Sequence, residues 1–158
     1  MIVGIDNGLD GGIVAVSKHA GTVIDKIVMP TSHRLGKREV DACTIYEWVT
    51  ALNTPFTIAI EEPLRHARSS QAMRSMAISF GKILGMAECR KWDIMCVSVH
   101  KWQKEMLGRV PRGQTKEAAL KAATALAPEE CWQKSKRASK PHDGMVDAFL
   151  IARYILKK

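Results

Sequence analysis

The first 29 residues hold three short β-branched segments, at 2–6, 12–17 and 22–29, parted only by glycine-rich or polar turns. Turns this short can reverse a chain into an antiparallel neighbour, but they cannot contain the dozen or more residues of a parallel crossover. The opening therefore predicts a three-stranded meander. Two further apolar segments, 56–61 and 94–98, each follow a longer stretch with helical spacing. Residues 41–52 carry Ile45, Trp48, Val49 and Leu52 on one stripe; residues 69–91 carry Met73, Met76, Ala77, Phe80, Ile83, Leu84 and Ala87. The almost unbroken apolar run at 56–61 is the pattern of a strand buried on both faces of a parallel sheet. Three more helices are expected at 100–107, 115–126 and 143–156, with a polar, basic loop at 128–141. The stretch holding Pro30, Arg34, Lys37 and Arg38 reads as a loop. The expected fold class is α/β: a mixed five-stranded sheet, three antiparallel strands and then parallel ones, flanked by helices in a single domain over residues 1–158.

With 46% hydrophobic and 25% charged residues, the chain has the balance of a globular protein rather than a disordered one. No apolar run reaches the roughly 18 residues of a membrane span. The start, MIVGID, lacks the basic flank and apolar core of a secretory signal, so a cytoplasmic protein is expected. Cys43, Cys89, Cys96 and Cys131 show no C-x-x-C spacing and read as reduced thiols, in the core or on the surface. Charge is unevenly spread. Residues 1–62 hold 5 Lys/Arg against 8 Asp/Glu, whereas residues 63–158 hold 19 against 8, and the whole chain carries +8. Such a basic second part suits a polyanionic partner, because each cation set against a phosphate releases counterions.

The acids fall at chosen places. Asp6 ends the first strand, Glu61 ends the fourth, and Asp143 and Asp147 open the last helix. If the first and fourth strands are parallel neighbours joined by a right-handed crossover, Asp6 and Glu61 project together from their C-terminal ends. Asp143 and Asp147 are four apart and share one helix face. Carboxylates crowded in this way repel one another unless a hard cation sits among them. Magnesium is the natural occupant, with manganese as the alternative. Two such ions can hold the attacking water and leaving oxygen of a phosphodiester displacement, so acids beside a basic surface point to a nuclease. Glu62, on the opposite face from Glu61 by strand alternation, is expected to point away.

Three motifs carry a resemblance. Gly4-Ile5-Asp6-Asn7-Gly8 with Gly11-Gly12, then Ile58-Ala59-Ile60-Glu61-Glu62-Pro63, then the run from His142 to Ala152 containing Asp143 and Asp147, together resemble the RuvC-like Holliday junction resolvases, in particular their compact phage-type members. The resemblance implies the ribonuclease H-like fold over essentially the whole chain. It also implies metal-dependent paired nicking of four-way and other branched DNA by a homodimer, leaving 5′-phosphate and 3′-hydroxyl ends, with no organic cofactor and no membrane. The setting it suits is a bacterial or phage-infected cytoplasm. By position, Asp6, Glu61 and Asp147 match the family's metal-binding acids, while Gly113 and Lys116 resemble its small-residue loop and backbone-contacting lysine. Many members place an acid or histidine three residues before the final aspartate, where this chain has Gly144; Asp143 or His142 would substitute. Leu64 stands where some members carry an aromatic wedge.

Each site residue also has a plainer reading. Asp143 could be a helix N-cap rather than a ligand, and His142 either a water-orienting group or an ordinary loop histidine. Asp10 and Asp41 read as turn and cap residues. Arg65, His66, Arg68 and Arg74 follow the fourth strand and are expected to meet phosphates, as are Lys134, Lys136 and Arg137, although basic loops often serve solubility alone. The Met73, Met76, Phe80 stripe reads as core or dimer interface, and Trp102 as a base-stacking or a buried indole. Two rival functions stand beside the nuclease: an RNA-processing enzyme on the same fold, and a junction-binding protein without turnover. The Gly4–Gly8 motif also resembles the phosphate loop of two-lobed sugar-kinase ATPases, but one lobe's length makes that reading untenable.

Overall fold

The computed structural model describes residues 1–63 and 70–158; Leu64, Arg65, His66 and Arg68 therefore lie outside the described residues. The five-stranded sheet contains β1 (Ile2–Asp6), β2 (Gly12–Val16), β3 (Val23–Val28), β6 (Thr57–Glu61) and β7 (Asp93–Val97), in the spatial order β3-β2-β1-β6-β7. The β1/β2 and β2/β3 pairs are antiparallel, and β1/β6 and β6/β7 are parallel. The fold class is the one expected, a mixed sheet with helices on both faces.

One element differs from expectation. The basic stretch after Pro30 is not a loop but a separate hairpin, β4 (Thr31–Arg34) against β5 (Lys37–Val40). Its polar residues alternate with no apolar face to betray a strand. Its turn is made by Leu35 and Gly36, both at positive φ (49° and 72°), the left-handed conformations a two-residue hairpin turn demands.

The helices are α1 (Ala42–Ala51), α2 (Ser70–Cys89), α3 (Val99–Leu107), α4 (Thr115–Leu126) and α5 (Asp143–Leu156). Asp41 caps α1 as its spacing suggested, its carboxylate accepting from the amides of Cys43 and Thr44. None of the described helices is long and apolar enough to cross a membrane. The four cysteines are all exposed, which settles their choice between core and surface.

Strand alternation sorts the core into two layers. Val3, Ile5, Ile13, Ala15, Ile58 and Ile60 face one way and pack with Ile45 and Val49 of α1 and Ile83 and Ala87 of α2. Ile2, Val14, Val16 and Ala59 face the other way, onto Trp102 of α3, Ala119 and Ala123 of α4 and the buried face of α5. Helix α5 lies so close to β1 that a Cβ on Gly4 would stand 2.0 Å from the carbonyl oxygen of Ala148. Only glycine allows that approach. It brings the start of α5 to the end of β1, where a lone parallel bridge joins Gly11 to Gly144.

Candidate active site

The same alternation aims the acids. Ile2, Gly4 and Asp6 share the α5 side of β1, and Ala59 and Glu61 share that side of β6. The parallel register pairs Ile5 with Ile60, so Asp6 and Glu61 leave the sheet side by side at its C-terminal edge. Glu62 is turned away and exposed. Asp147, on the second turn of α5, points into the same space because Gly4, Gly12 and Gly144 let the helix lie against the sheet.

Three half-buried carboxyls then share one volume, and their acidities record it. Asp6 is pushed up to about 6, chiefly by loss of solvent, against a 3.1 Å hydrogen bond donated by the Gly8 amide. Glu61 is pushed up to about 7 by loss of solvent and then by the charge of Asp6. Asp147 rises furthest, to about 8, through loss of solvent and then the charges of Asp6, Glu61 and Asp143 in turn. Among the described residues none of these three carboxylates makes an ion pair.

Neighbouring side chains hold Glu61 in place. Trp102, with no exposed surface, donates its indole N–H to Glu61 Oε2 at 2.7 Å, which leaves Oε1 without that bond. Asn7, equally buried, donates from Nδ2 to the Glu61 backbone oxygen at 2.9 Å, tying the loop after β1 to the end of β6. From the sequence Trp102 reads only as a stacking or a core indole. The signal that could have found its role is that a buried indole N–H needs an acceptor, and acceptors near the end of β6 are few.

The remaining candidates stand at the rim. Asp143, the first residue of α5, is ion-paired with Lys116 at the start of α4; their side chains keep 51% and 79% of their exposure, which places the pair outside the buried trio. Lys116 still lowers the acidity shift of Asp147, so the pair is near enough to be felt. The N-cap of α5 is His142 rather than Asp143: its Nδ1 accepts from the Met145 amide at 3.3 Å. Partial burial lowers its pKa. Gly144 has no room for the acid or histidine found there in the resembled family, since its Cβ would lie 2.4 Å from the backbone of Gly11.

The basic residues divide. Lys134, Lys136 and Arg137 are exposed on a loop closed at its base by the His142 amide donating to the Trp132 oxygen at 2.7 Å, beside the start of α5. Arg74 is exposed on α2. Arg65 and Arg68 lie outside the described residues.

Oxygen donors on three elements, unpaired and mutually repelling, are the donor chemistry of a hard divalent cation. The residues fit such an ion in kind, while among the described residues no three His, Cys, Asp or Glu side chains yet stand at ligating separation.

A mixed sheet of this order, antiparallel on one side and parallel on the other with helices on both faces, is of the ribonuclease H-like fold class. Within that class the chain is similar to Thermus thermophilus RuvC. It matches the RuvC structure solved in complex with a Holliday junction substrate at 16% identity and a TM-score of 0.60, over 97% of this chain and 90% of that one. A second T. thermophilus RuvC structure matches at 17% identity and a TM-score of 0.58, over 97% and 91%. At this identity the likeness establishes a RuvC-like fold. No protein-family model matches the sequence, and no curated protein does either.

Proposed function

We propose that this chain is a divalent-metal-dependent endodeoxyribonuclease, selective for structure, that resolves four-way and other branched DNA by paired nicks as a homodimer. The observation that carries the reading is the meeting of Asp6, Glu61 and Asp147, from β1, β6 and α5, in one half-buried space where each is held well above the ordinary carboxylate range. The fold shared with a protein solved on a Holliday junction supports the choice of substrate.

In the hydrolysis, a water oxygen bonds to phosphorus, the bond from phosphorus to the 3′ oxygen breaks, and the leaving 3′ oxygen takes up a proton. The ends are a 5′-phosphate and a 3′-hydroxyl. Divalent ions, when bound, lower the pKa of the water and offset the charge that gathers on the phosphoryl oxygens. Asp6, Glu61 and Asp147 would hold them, with Asp143 at the rim as a further oxygen donor. Trp102 keeps Glu61 from rotating away. Lys116, largely exposed beside Asp143, would meet the phosphate of an incoming strand, and His142 caps α5, from whose second turn Asp147 projects.

The test is a nicking assay on a mobile four-way DNA junction, with a structured RNA presented alongside. Magnesium-dependent nicks in the DNA, absent in chelator and absent with Asp6→Asn, are expected. A junction bound equally well with and without magnesium and never cut would leave a binding protein; preferential cutting of the RNA would move the substrate to that polymer. Sedimentation as a monomer at working concentration would remove the dimer.

A further inference from the structure

The hairpin that the sequence concealed forms one wall of a groove of about 700 Å³, and the first half of α2 forms the other. Lys37 and Arg38 line the hairpin side, Arg74, Ser70 and Ser75 the helix side, and Leu9 lines it from the loop after β1. We propose that this groove, on the α2 face of the sheet and joined to the end of β1 by the loop holding Leu9, seats the sugar-phosphate backbone of a DNA strand, a contact separate from that at the acids, which project on the α5 face. The proposal rests on the nuclease reading for its orientation.

Two sets of bonds fix the walls. Arg38 donates to the Leu9 oxygen at 2.7 Å and to Asp10 Oδ1 at 2.8 Å, and from Nε to Thr31 Oγ1 at 3.1 Å. Leu9 and Asp10 belong to the loop that leaves Asp6, so the groove reaches the loop that follows the first candidate acid. Across the groove Lys82 of α2 donates to Glu39 Oε2 at 2.7 Å and to the Val40 oxygen at 3.1 Å, fastening the hairpin to the helix.

These bonds also decide the sign of the groove. Asp10 is offset by Arg38 and Glu39 by Lys82. Among the described residues Lys37, Arg74 and Arg34, which sits opposite Lys37 in the hairpin register, are in no ion pair. The uncompensated charge is positive. Lys37, Arg38 and Arg74 are all exposed, on walls open to water. Exposed cations strung along a trough hold a polyanion by releasing its counterions and read no sequence. Tight capture of a small anion would call for buried donors instead.

The measurement is the affinity of a four-way junction, by fluorescence anisotropy in chelator over a salt series. Lys37→Glu with Arg74→Glu is compared with wild type and with Lys18→Glu plus Lys91→Glu. That control makes the same charge change at the opposite end of the strands, where Lys18 lies near the amino terminus. The groove variant should bind at least about tenfold more weakly at 0.1 M salt, with its log–log salt slope reduced by about 2, one unit for each phosphate contact removed. The control should shift far less. Equal losses in both variants, or none in either, would overturn the groove. Should the double variant fail to fold by circular dichroism, Lys37→Ala, at the exposed first residue of β5, should still lower the slope by about 1. A wild type that binds but never nicks would sink the nuclease reading, whereas groove variants that bind normally in a nicking enzyme would sink the groove alone.

Discussion

Glu61 is an acid whose position depends on a residue 41 positions away. A carboxylate at the end of a strand has free χ angles and nothing in its own strand to choose among them; the Trp102 indole makes that choice by taking one oxygen. Trp102→Phe keeps most of the volume and removes the donor. Nicking should fall about 10- to 100-fold, the usual cost of losing a group that orients a metal ligand, and magnesium should be needed at higher concentration. Unchanged rate and unchanged magnesium dependence would reduce Trp102 to packing. Under the proposed function, Asp6→Asn should bring nicking down to the metal-free level and leave junction affinity nearly as it was, since the basic surface is untouched. Asp6→Asn cutting at the wild-type rate would refute the site.

At the scale of elements, the site exists because α5 can touch β1. Gly144→Ala would drive a methyl into the Gly11 backbone at 2.4 Å, and both partners are main chain that cannot yield without shifting the helix. A loss of about 1–3 kcal/mol is expected, read as a lower melting temperature, with a drop in nicking beyond what the lost folded fraction explains. A wild-type melting temperature would show that the start of α5 is free to move. That the β4/β5 hairpin reads as a loop in the sequence follows from the same physics. Periodicity detects a face that is buried, and the β4/β5 hairpin buries little besides Val40, so its strands carry no such record.

For the molecule as a whole, the clustered acids tie stability to pH and to metal. The folded protein keeps protons on Asp6, Glu61 and Asp147 up to about 6, 7 and 8, while the unfolded chain releases them near the ordinary values of 3.8 and 4.5. Between those limits the folded state binds more protons, so stability falls as pH rises from about 4 to about 8. Metal-free protein should melt on the order of 5 °C lower at pH 8 than at pH 5.5, a modest figure because the carboxyls keep some contact with water. Millimolar magnesium should raise the melting temperature more at pH 8, where the acids are ready to bind it, than at pH 5.5. A metal-free melting temperature that climbs over this range would mean the three acids are not together.

The sequence by itself determined the order and type of most elements, because burial on one or two faces leaves periods of 2 and 3.6 in the chain, and it marked Asp6, Glu61 and Asp147 because two close a strand and the third lies near the start of the last helix. Only the tertiary structure decided which acids share a space, that Gly144 is a contact point rather than a lost ligand, that His142 caps α5 while Asp143 pairs with Lys116, and that Trp102 grips Glu61. The reason is range. Local patterning is written by each segment's own contact with core or water, whereas, the His142 cap apart, these pairings join residues 27 to 141 positions apart or depend on ångström-scale approaches between backbones, and no local period records them.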